Sequence, residues 1–142
     1  MRLIYVDTSA ALKRGLPEPE SRALVREMAG ASSNGVLFVT SQLTRVEIAR
    51  ALKRRSVELI ADPAEAFTNI MDGIGQAPIT ELVIEFARSI GTPLLRSLDA
   101  VHLATATALA AHELWSYDVR MCDEARKANI PARMPGRDSM EA

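Results

Sequence analysis

The sequence has few of the features that decide a protein class at once. It has a single cysteine, Cys122, so an internal disulfide is excluded and a reducing environment suits the chain. No run of about 18 apolar residues could span a membrane, because Asp99 and His102 interrupt the best stretch. The formal net charge of −1 excludes a generally basic coat, so any contact with RNA or DNA needs a local patch. These absences predict a soluble, cytoplasmic protein with no membrane partner.

Aromatic residues and glycine-rich loops are also scarce. Aromatic side chains make up 4% of the chain, which leaves few for stacking on unpaired bases. Gly73-Ile-Gly75 lacks the third glycine and the preceding strand of a dinucleotide-binding loop. We therefore expect neither a nucleotide-binding loop nor an aromatic platform for bases.

What the chain does contain is an alternation of short apolar runs with helical patterns. The runs that predict strands cover residues 3–6, 36–40, 113–116 and 130–134. Helical spacing of apolar residues occupies the segments between them. This alternation predicts an α/β protein with a central parallel sheet covered by helices on both faces.

The length of 142 residues suits one compact domain. We expect that domain over residues 1–135 and a loose polar tail over 136–142. The pattern is least regular over residues 56–80. There Pro63–Met71 is predicted to form a helix, and a short extended segment is predicted before Ile79.

Four acidic residues are notable for their places in this pattern. Asp7 and Asp118 directly follow predicted strands. Glu47 lies early in the helix after the second strand, and Asp99 lies near the start of an otherwise apolar helix. Ligands of open parallel sheets bind outside the carboxyl ends of the strands, so these four acids are predicted to converge on one crevice.

Convergence of carboxylates has an energetic cost that limits the chemistry. Two carboxylates about 4 Å apart repel by roughly 4 kcal/mol at an effective dielectric of about 20. A shared proton or a divalent cation relieves that repulsion. Oxygen-only ligands favour Mg²⁺ or Mn²⁺ over zinc, and such a site suits attack of metal-activated water on a phosphodiester.

Each acid also has an ordinary structural interpretation. Asp7 is equally suited to cap the helix that follows it. Glu47 suits an ion pair with an arginine of its own helix, and Asp118 suits a turn. The N-terminal turn of a helix favours an acid such as Asp99. The functional interpretation therefore depends on all four acids together.

Basic residues and a histidine lie near these acids in the sequence. Arg50 and Arg54 flank Glu47 on a helical wheel and are candidates to hold RNA phosphates, with a solvated helix face as the alternative. His102 follows Asp99 by three residues on the same helix face. We expect this histidine to pack or to support the site rather than to bind an ion.

The acids lie in four sequence blocks, which are Tyr5-Val-Asp7-Thr-Ser-Ala, Thr44-Arg-Val-Glu47-Ile-Ala-Arg-Ala-Leu, Leu95-Arg-Ser-Leu-Asp99-Ala-Val-His-Leu-Ala-Thr-Ala and Trp115-Ser-Tyr-Asp118-Val-Arg. These blocks resemble those of PIN-domain ribonucleases, and most closely those of VapC toxins from bacterial type II toxin–antitoxin pairs. They occur in order over roughly residues 3–130, and the block around Asp99 is the most specific.

The resemblance implies a three-layer α/β/α PIN-like domain with metal-dependent endoribonuclease activity. The catalytic and metal-binding acids that it implies are Asp7, Glu47, Asp99 and Asp118, with Mg²⁺ or Mn²⁺ as cofactor. The hydroxyl residues that it implies in support of these acids are Thr8, Ser9 and Ser116.

The resemblance also implies partners. The substrate would be RNA, with tRNA among the candidates, and the protein would form a homodimer. A VapB-type antitoxin would cover the acidic groove in a toxin–antitoxin hetero-oligomer, since such a groove accepts an arginine as readily as a metal ion.

Two other functions fit parts of the same pattern. One is a non-catalytic RNA- or partner-binding module that keeps the fold. The other is a phosphatase with Asp7 as nucleophile, although such enzymes usually need a second acid two residues later, where this chain has Ser9.

Overall fold

The computed structural model of the protein describes residues 1–55 and 62–138. Its sheet contains five strands with the order β3-β2-β1-β4-β5, and every neighbouring pair is parallel. The strands are β1 (Leu3–Val6), β2 (Leu37–Ser41), β3 (Ile74–Ala77), β4 (Glu113–Trp115) and β5 (Ala132–Arg133). The chain adds β2 and β3 on one side of β1 and then β4 and β5 on the other. The winding therefore reverses beside β1, which is where open parallel sheets bind ligands.

Seven helices of the described ranges cover the sheet. They are α1 (Thr8–Leu12), α2 (Ser21–Ser33), α3 (Leu43–Arg55), α4 (Pro63–Met71), α5 (Glu81–Ala87), α6 (Ser97–Ala108) and α7 (Val119–Lys127). No helix in the part of the chain described is long and apolar enough to cross a membrane.

The alternation of side chains along β1 separates two hydrophobic cores. Ile4 and Val6 belong to the core formed with α1, α2, α3 and α4. Tyr5 points to the opposite face and joins the core formed with α6 and α7. The predicted three-layer α/β/α arrangement is confirmed.

Helix starts follow the local sequence signals. Asp62 caps α4, with its Oδ1 accepting from the amides of Ala64 and Glu65, and Pro63 occupies the first turn, where its missing N–H costs nothing. The predicted helix Pro63–Met71 and the extended segment before Ile79, now β3, are confirmed. Residues 56–61 of the irregular segment lie outside the described residues.

The described part of the predicted tail, residues 136–138, is packed rather than loose. Arg137 Nη2 donates to Glu20 Oε1 at 3.0 Å, and its guanidinium lies 5.6 Å from the centre of the Tyr117 ring. Gly136 has a φ of 89°, and a Cβ there would lie 2.7 Å from the Cβ of Ala23. The chain approaches α2 this closely because Gly136 has no side chain. Residues 139–142 lie outside the described range.

Candidate active site

Asp7 lies at the carboxyl end of the central strand. Its amide donates to the carbonyl of Trp115 at 3.1 Å, which ties the end of β1 to β4. Its side chain is 4% exposed, and Oδ1 accepts from the Ala10 amide at 3.0 Å and from Ser9 Oγ at 2.7 Å. Burial raises the pKa of Asp7, and hydrogen bonds from Ser116, Ser9 and Ala10 oppose that rise. Asp7 therefore caps α1, as the structural alternative predicted, and also faces the edge where the winding reverses.

Glu47 projects from α3 towards the same edge but does not pair with an arginine of its helix. Its Oε1 accepts a hydrogen bond from Thr8 Oγ1 at 2.7 Å and lies 2.6 Å from His102 Nε2. Burial alone would raise the pKa of Glu47, but the hydrogen bonds from His102 and Thr8 lower it overall. Since Glu47 remains charged at neutral pH, it contributes a carboxylate held by donors from two other helices.

Asp99 differs from the other three acids because none of the side chains or amides in the described part of the chain donates to it. It lies half-buried in the first turn of α6, and within the described residues its carboxylate accepts no hydrogen bond. Burial raises its pKa, and so do the negative charges of Asp118, Asp7 and Glu47, while His102 opposes them. The carboxylate of Asp99 therefore lies in the field of three acids from three other elements.

Asp118 follows β4 and lies at the mouth of the site. Its Oδ1 accepts from the amides of Arg120 at 2.9 Å and Met121 at 3.3 Å, so it caps α7. Asp118 and Asp99 line one cavity of about 480 Å³. Asp118, like Asp7, can therefore cap a helix and also belong to the site, because the cap uses only one of its two carboxylate oxygens.

Hydroxyl side chains connect these acids to one another. Besides Thr8, which donates to Glu47, Ser9 donates to Asp7 and accepts from the Tyr117 amide at 2.9 Å. Ser116 accepts from the Asp118 amide at 3.0 Å, and its Oγ lies 3.4 Å from Ser9 Oγ. Ser9 occupies the position where a phosphatase of the rival class usually has its second acid, and here it donates to Asp7 instead.

The arrangement of the acids bears directly on metal binding. As the side chains stand, residues 1–55 and 62–138 contain no group of three or more acids, histidines or cysteines arranged to hold a metal ion. In this arrangement three of the four acids direct an oxygen to a nearby donor instead. Binding a cation here has to draw the carboxylates together.

The chemistry of the donors nevertheless fits a hard divalent cation. Cys122 is fully buried, with its Sγ against the Ser116 carbonyl, and both ring nitrogens of His102 already have partners. The remaining donors are carboxylate and hydroxyl oxygens, which Mg²⁺ and Mn²⁺ prefer. The excess negative charge around Asp99 is the charge that a cation would neutralise.

Basic side chains lie at two places near the acids. Arg50 and Arg54 are exposed on α3, and neither forms an ion pair within the described residues. Arg96 and Arg120 line the cavity that holds Asp99 and Asp118, a position that the sequence pattern had not assigned to them.

Two further features of the site escaped the sequence patterns. His102 makes a hydrogen bond with Tyr5, a residue that periodicity marks only as part of a buried strand. Glu124 Oε2 accepts from the Thr92 amide at 2.9 Å, and its Oε1 accepts from the Thr92 hydroxyl. The two hydrogen bonds between Thr92 and Glu124 hold the loop before α6 against α7, and this loop leads into the helical turn that contains Asp99. Both are contacts between distant segments, which local spacing does not reveal.

With this geometry described, comparison with known proteins identifies the family. The family model for the PIN domain matches residues 4–127. Ribonuclease VapC47 of Mycobacterium tuberculosis is 35% identical over 136 residues, covering 94% of this chain and 98% of that protein. Ribonuclease VapC46 of the same species is 34% identical over 139 residues, covering 95% and 99%. The chain therefore belongs to the PIN-domain family, in its VapC ribonuclease branch.

Solved structures support the same fold. VapBC2 of Rickettsia felis, crystallised with a DNA fragment from its promoter, aligns with a TM-score of 0.72 at 9% identity over 92% of this chain and 97% of that one. VapC20 of Mycobacterium tuberculosis, described as a sarcin–ricin-loop-cleaving toxin, aligns with a TM-score of 0.70 at 17% identity over 93% and 99%. At such low identities these likenesses establish the fold, and they confirm the PIN-like architecture expected from the sequence.

The repulsion at Asp99 predicts the effect of a neutral substitution on stability. We expect Asp99→Asn to raise the free energy of unfolding in EDTA by roughly 0.5–1 kcal/mol, because it removes a charge that three other acids oppose. Urea denaturation measures this change. Asp123→Asn is the control, since Asp123 lines the same cavity but pairs with Arg126 at 3.6 Å, and it is expected to give no gain. A loss of stability in Asp99→Asn would contradict this assignment of charge.

Proposed function

We propose that this VapC-type PIN ribonuclease is a metal-dependent endoribonuclease toxin that hydrolyses RNA phosphodiester bonds. The observation that supports this most strongly is the carboxylate of Asp99, which accepts no hydrogen bond within the described residues and lies in the field of Asp7, Glu47 and Asp118. PIN ribonucleases typically depend on metal ions, and the oxygen donors here favour Mg²⁺ or Mn²⁺.

Each acid has a proposed role at the site. Asp7 and Asp99 are proposed as the principal metal ligands, with Glu47 and Asp118 completing the set. When bound, Mg²⁺ or Mn²⁺ supplies a Lewis acid that activates water and stabilises the leaving oxygen. Thr8 orients Glu47 through the hydrogen bond from its hydroxyl to Oε1.

Two serines complete the proposed support of the acids. Ser9 and Ser116 form hydrogen bonds with Asp7. Burial raises the pKa of Asp7, and these hydrogen bonds oppose that rise and so favour the charged carboxylate. Ser116 also accepts from the Asp118 amide, so the two serines orient the acids that flank the β1–β4 edge.

RNA cleavage tests the roles of the acids. We expect Asp7→Asn and Asp99→Asn each to reduce the cleavage rate by at least about 100-fold, because each removes a charged metal ligand. EDTA is expected to abolish cleavage, and Mg²⁺ or Mn²⁺ to restore it, giving products with 5′-phosphate and 3′-hydroxyl ends. End-labelled RNA, with tRNA included in the substrate set, measures both rate and end chemistry.

The matched control for this assay is Asp123→Asn, which removes an acid of the same cavity that is already paired with Arg126. It should retain the full rate. Full activity in EDTA, or in both ligand variants, would contradict the mechanism. Metal binding without cleavage of any RNA would favour the non-catalytic module, and a covalent phosphate on Asp7 would favour the phosphatase.

Arg50 and Arg54 are proposed to bind RNA phosphates leading to the site. Both are exposed on the helix that carries Glu47, and neither is engaged in an ion pair within the described residues. We expect Arg50→Ala/Arg54→Ala to weaken RNA binding similarly for different sequences and to reduce the salt dependence of binding, with a slope change of about 1 per lost contact. Fluorescence anisotropy at several salt concentrations measures both. An unchanged salt slope would show that these arginines lie on a solvated face.

We further propose that a VapB-type antitoxin neutralises the protein in a hetero-oligomer, and that the toxin itself is a homodimer. The structural neighbours include a toxin–antitoxin complex from Klebsiella pneumoniae, at 17% identity and a TM-score of 0.58. A site with four neighbouring acids suits an arginine from such an inhibitor. Co-expression with the product of a short adjacent reading frame is expected to give a stable complex that does not cleave RNA. Unimpaired cleavage by that complex would contradict this partnership.

A further inference from the structure

His102 lies at the centre of a hydrogen-bonded chain that joins three elements of the fold. It is 1% exposed and lies on α6, one turn after Asp99. Its Nδ1 is 2.6 Å from the Tyr5 hydroxyl, and its Nε2 is 2.6 Å from Glu47 Oε1. The chain Tyr5–His102–Glu47 therefore runs from the central strand through α6 to α3.

The direction of this chain follows from which groups have protons. A carboxylate has no proton to donate, so His102 Nε2–H donates to Glu47. Burial raises the pKa of Tyr5, so its hydroxyl keeps its proton. In the neutral ring Nδ1 is then the acceptor, so the Tyr5 hydroxyl donates to it and supports the tautomer that has its proton on Nε2.

The geometry at Glu47 shows what this donor achieves. Thr8 and His102 both hydrogen bond to Oε1, at 2.7 and 2.6 Å. Within residues 1–55 and 62–138, Oε2 accepts no hydrogen bond. Two donors on one oxygen fix the orientation of the carboxylate and leave its other oxygen available to a ligand.

We propose that His102 is a positioning residue that, supported by Tyr5, orients Glu47 so that its Oε2 can bind the divalent cation. This inference rests on the proposed role of Glu47 as a metal ligand. His102 does not itself touch the metal or the substrate. It acts as the outer partner of a ligand, and loss of such a partner typically weakens metal binding by about 10–100-fold.

Two substitutions of similar size and polarity separate positioning from packing. His102→Gln carries an amide donor at about the position of Nε2, whereas His102→Asn reaches only the position of Nδ1. We expect His102→Asn to weaken Mn²⁺ binding by about 10-fold and His102→Gln to remain within about threefold of the unsubstituted protein. Titration of the full chain with Mn²⁺, followed by the electron paramagnetic resonance signal of the free ion, measures the affinity without relying on activity.

The matched control is Thr105→Val, which changes another fully buried residue of α6 whose hydroxyl donates to the Val101 carbonyl at 2.7 Å and to no acid. We expect it to lower the melting temperature but to leave the affinity for Mn²⁺ unchanged. Circular dichroism establishes that each variant is folded. If His102→Asn does not fold, Tyr5→Phe serves as the test, because it removes only the hydroxyl that supports the tautomer. We expect Tyr5→Phe to weaken Mn²⁺ binding.

The outcomes distinguish this inference from the proposed function. Unchanged Mn²⁺ affinity in the folded His102→Asn or Tyr5→Phe variant would overturn the positioning role while leaving the metal site intact. Equal losses in His102→Asn and His102→Gln would overturn it too, because a packing role predicts them. Absence of Mn²⁺ binding by the unsubstituted protein would overturn the proposed metal site and this inference with it.

Discussion

Repulsion between carboxylates at one edge of a parallel sheet is the constraint on which the rest of the site depends. The four acids come from different elements, and hydrogen-bond donors compensate three of them. Asp7 and Asp118 cap the helices that follow them, and Glu47 receives two donors. Asp99 alone has no such partner among the described residues. An arrangement that leaves one acid without such a donor lowers the free energy of unfolding, and a loss of this kind is typical of functional sites.

The fold follows largely from local signals. The apolar run at Leu3–Val6 predicts a buried strand, and a strand followed at once by Asp7-Thr8-Ser9 predicts a capped helix. The start of α4 at Pro63 is equally local, because proline suits the first turn of a helix. The packing of residues 136–138 does not follow from a local signal, because it depends on an ion pair between Arg137 and Glu20, which lies more than one hundred positions earlier.

The candidate site was only partly accessible from the sequence. The topology brings Asp7 and Asp118 to one edge because both follow neighbouring parallel strands, and spacing is sufficient to predict that. The partners of Glu47 were not predictable in this way. Helical spacing favoured an arginine of α3, whereas Thr8 and His102 reach Glu47 from two other helices. Capping and a place in the site are compatible for Asp7 and Asp118, because a cap engages one carboxylate oxygen and leaves the acid at the edge of the site.

We propose that a divalent cation draws these four acids together. A crystal structure of the protein grown with Mn²⁺, with anomalous diffraction recorded at the manganese edge, tests it most directly. We expect an anomalous peak at the carboxyl edge of β1, within roughly 2.5 Å of oxygens from Asp99 and Asp7. A peak away from these carboxylates, or full Mn²⁺ loading with the acids still apart, would contradict it.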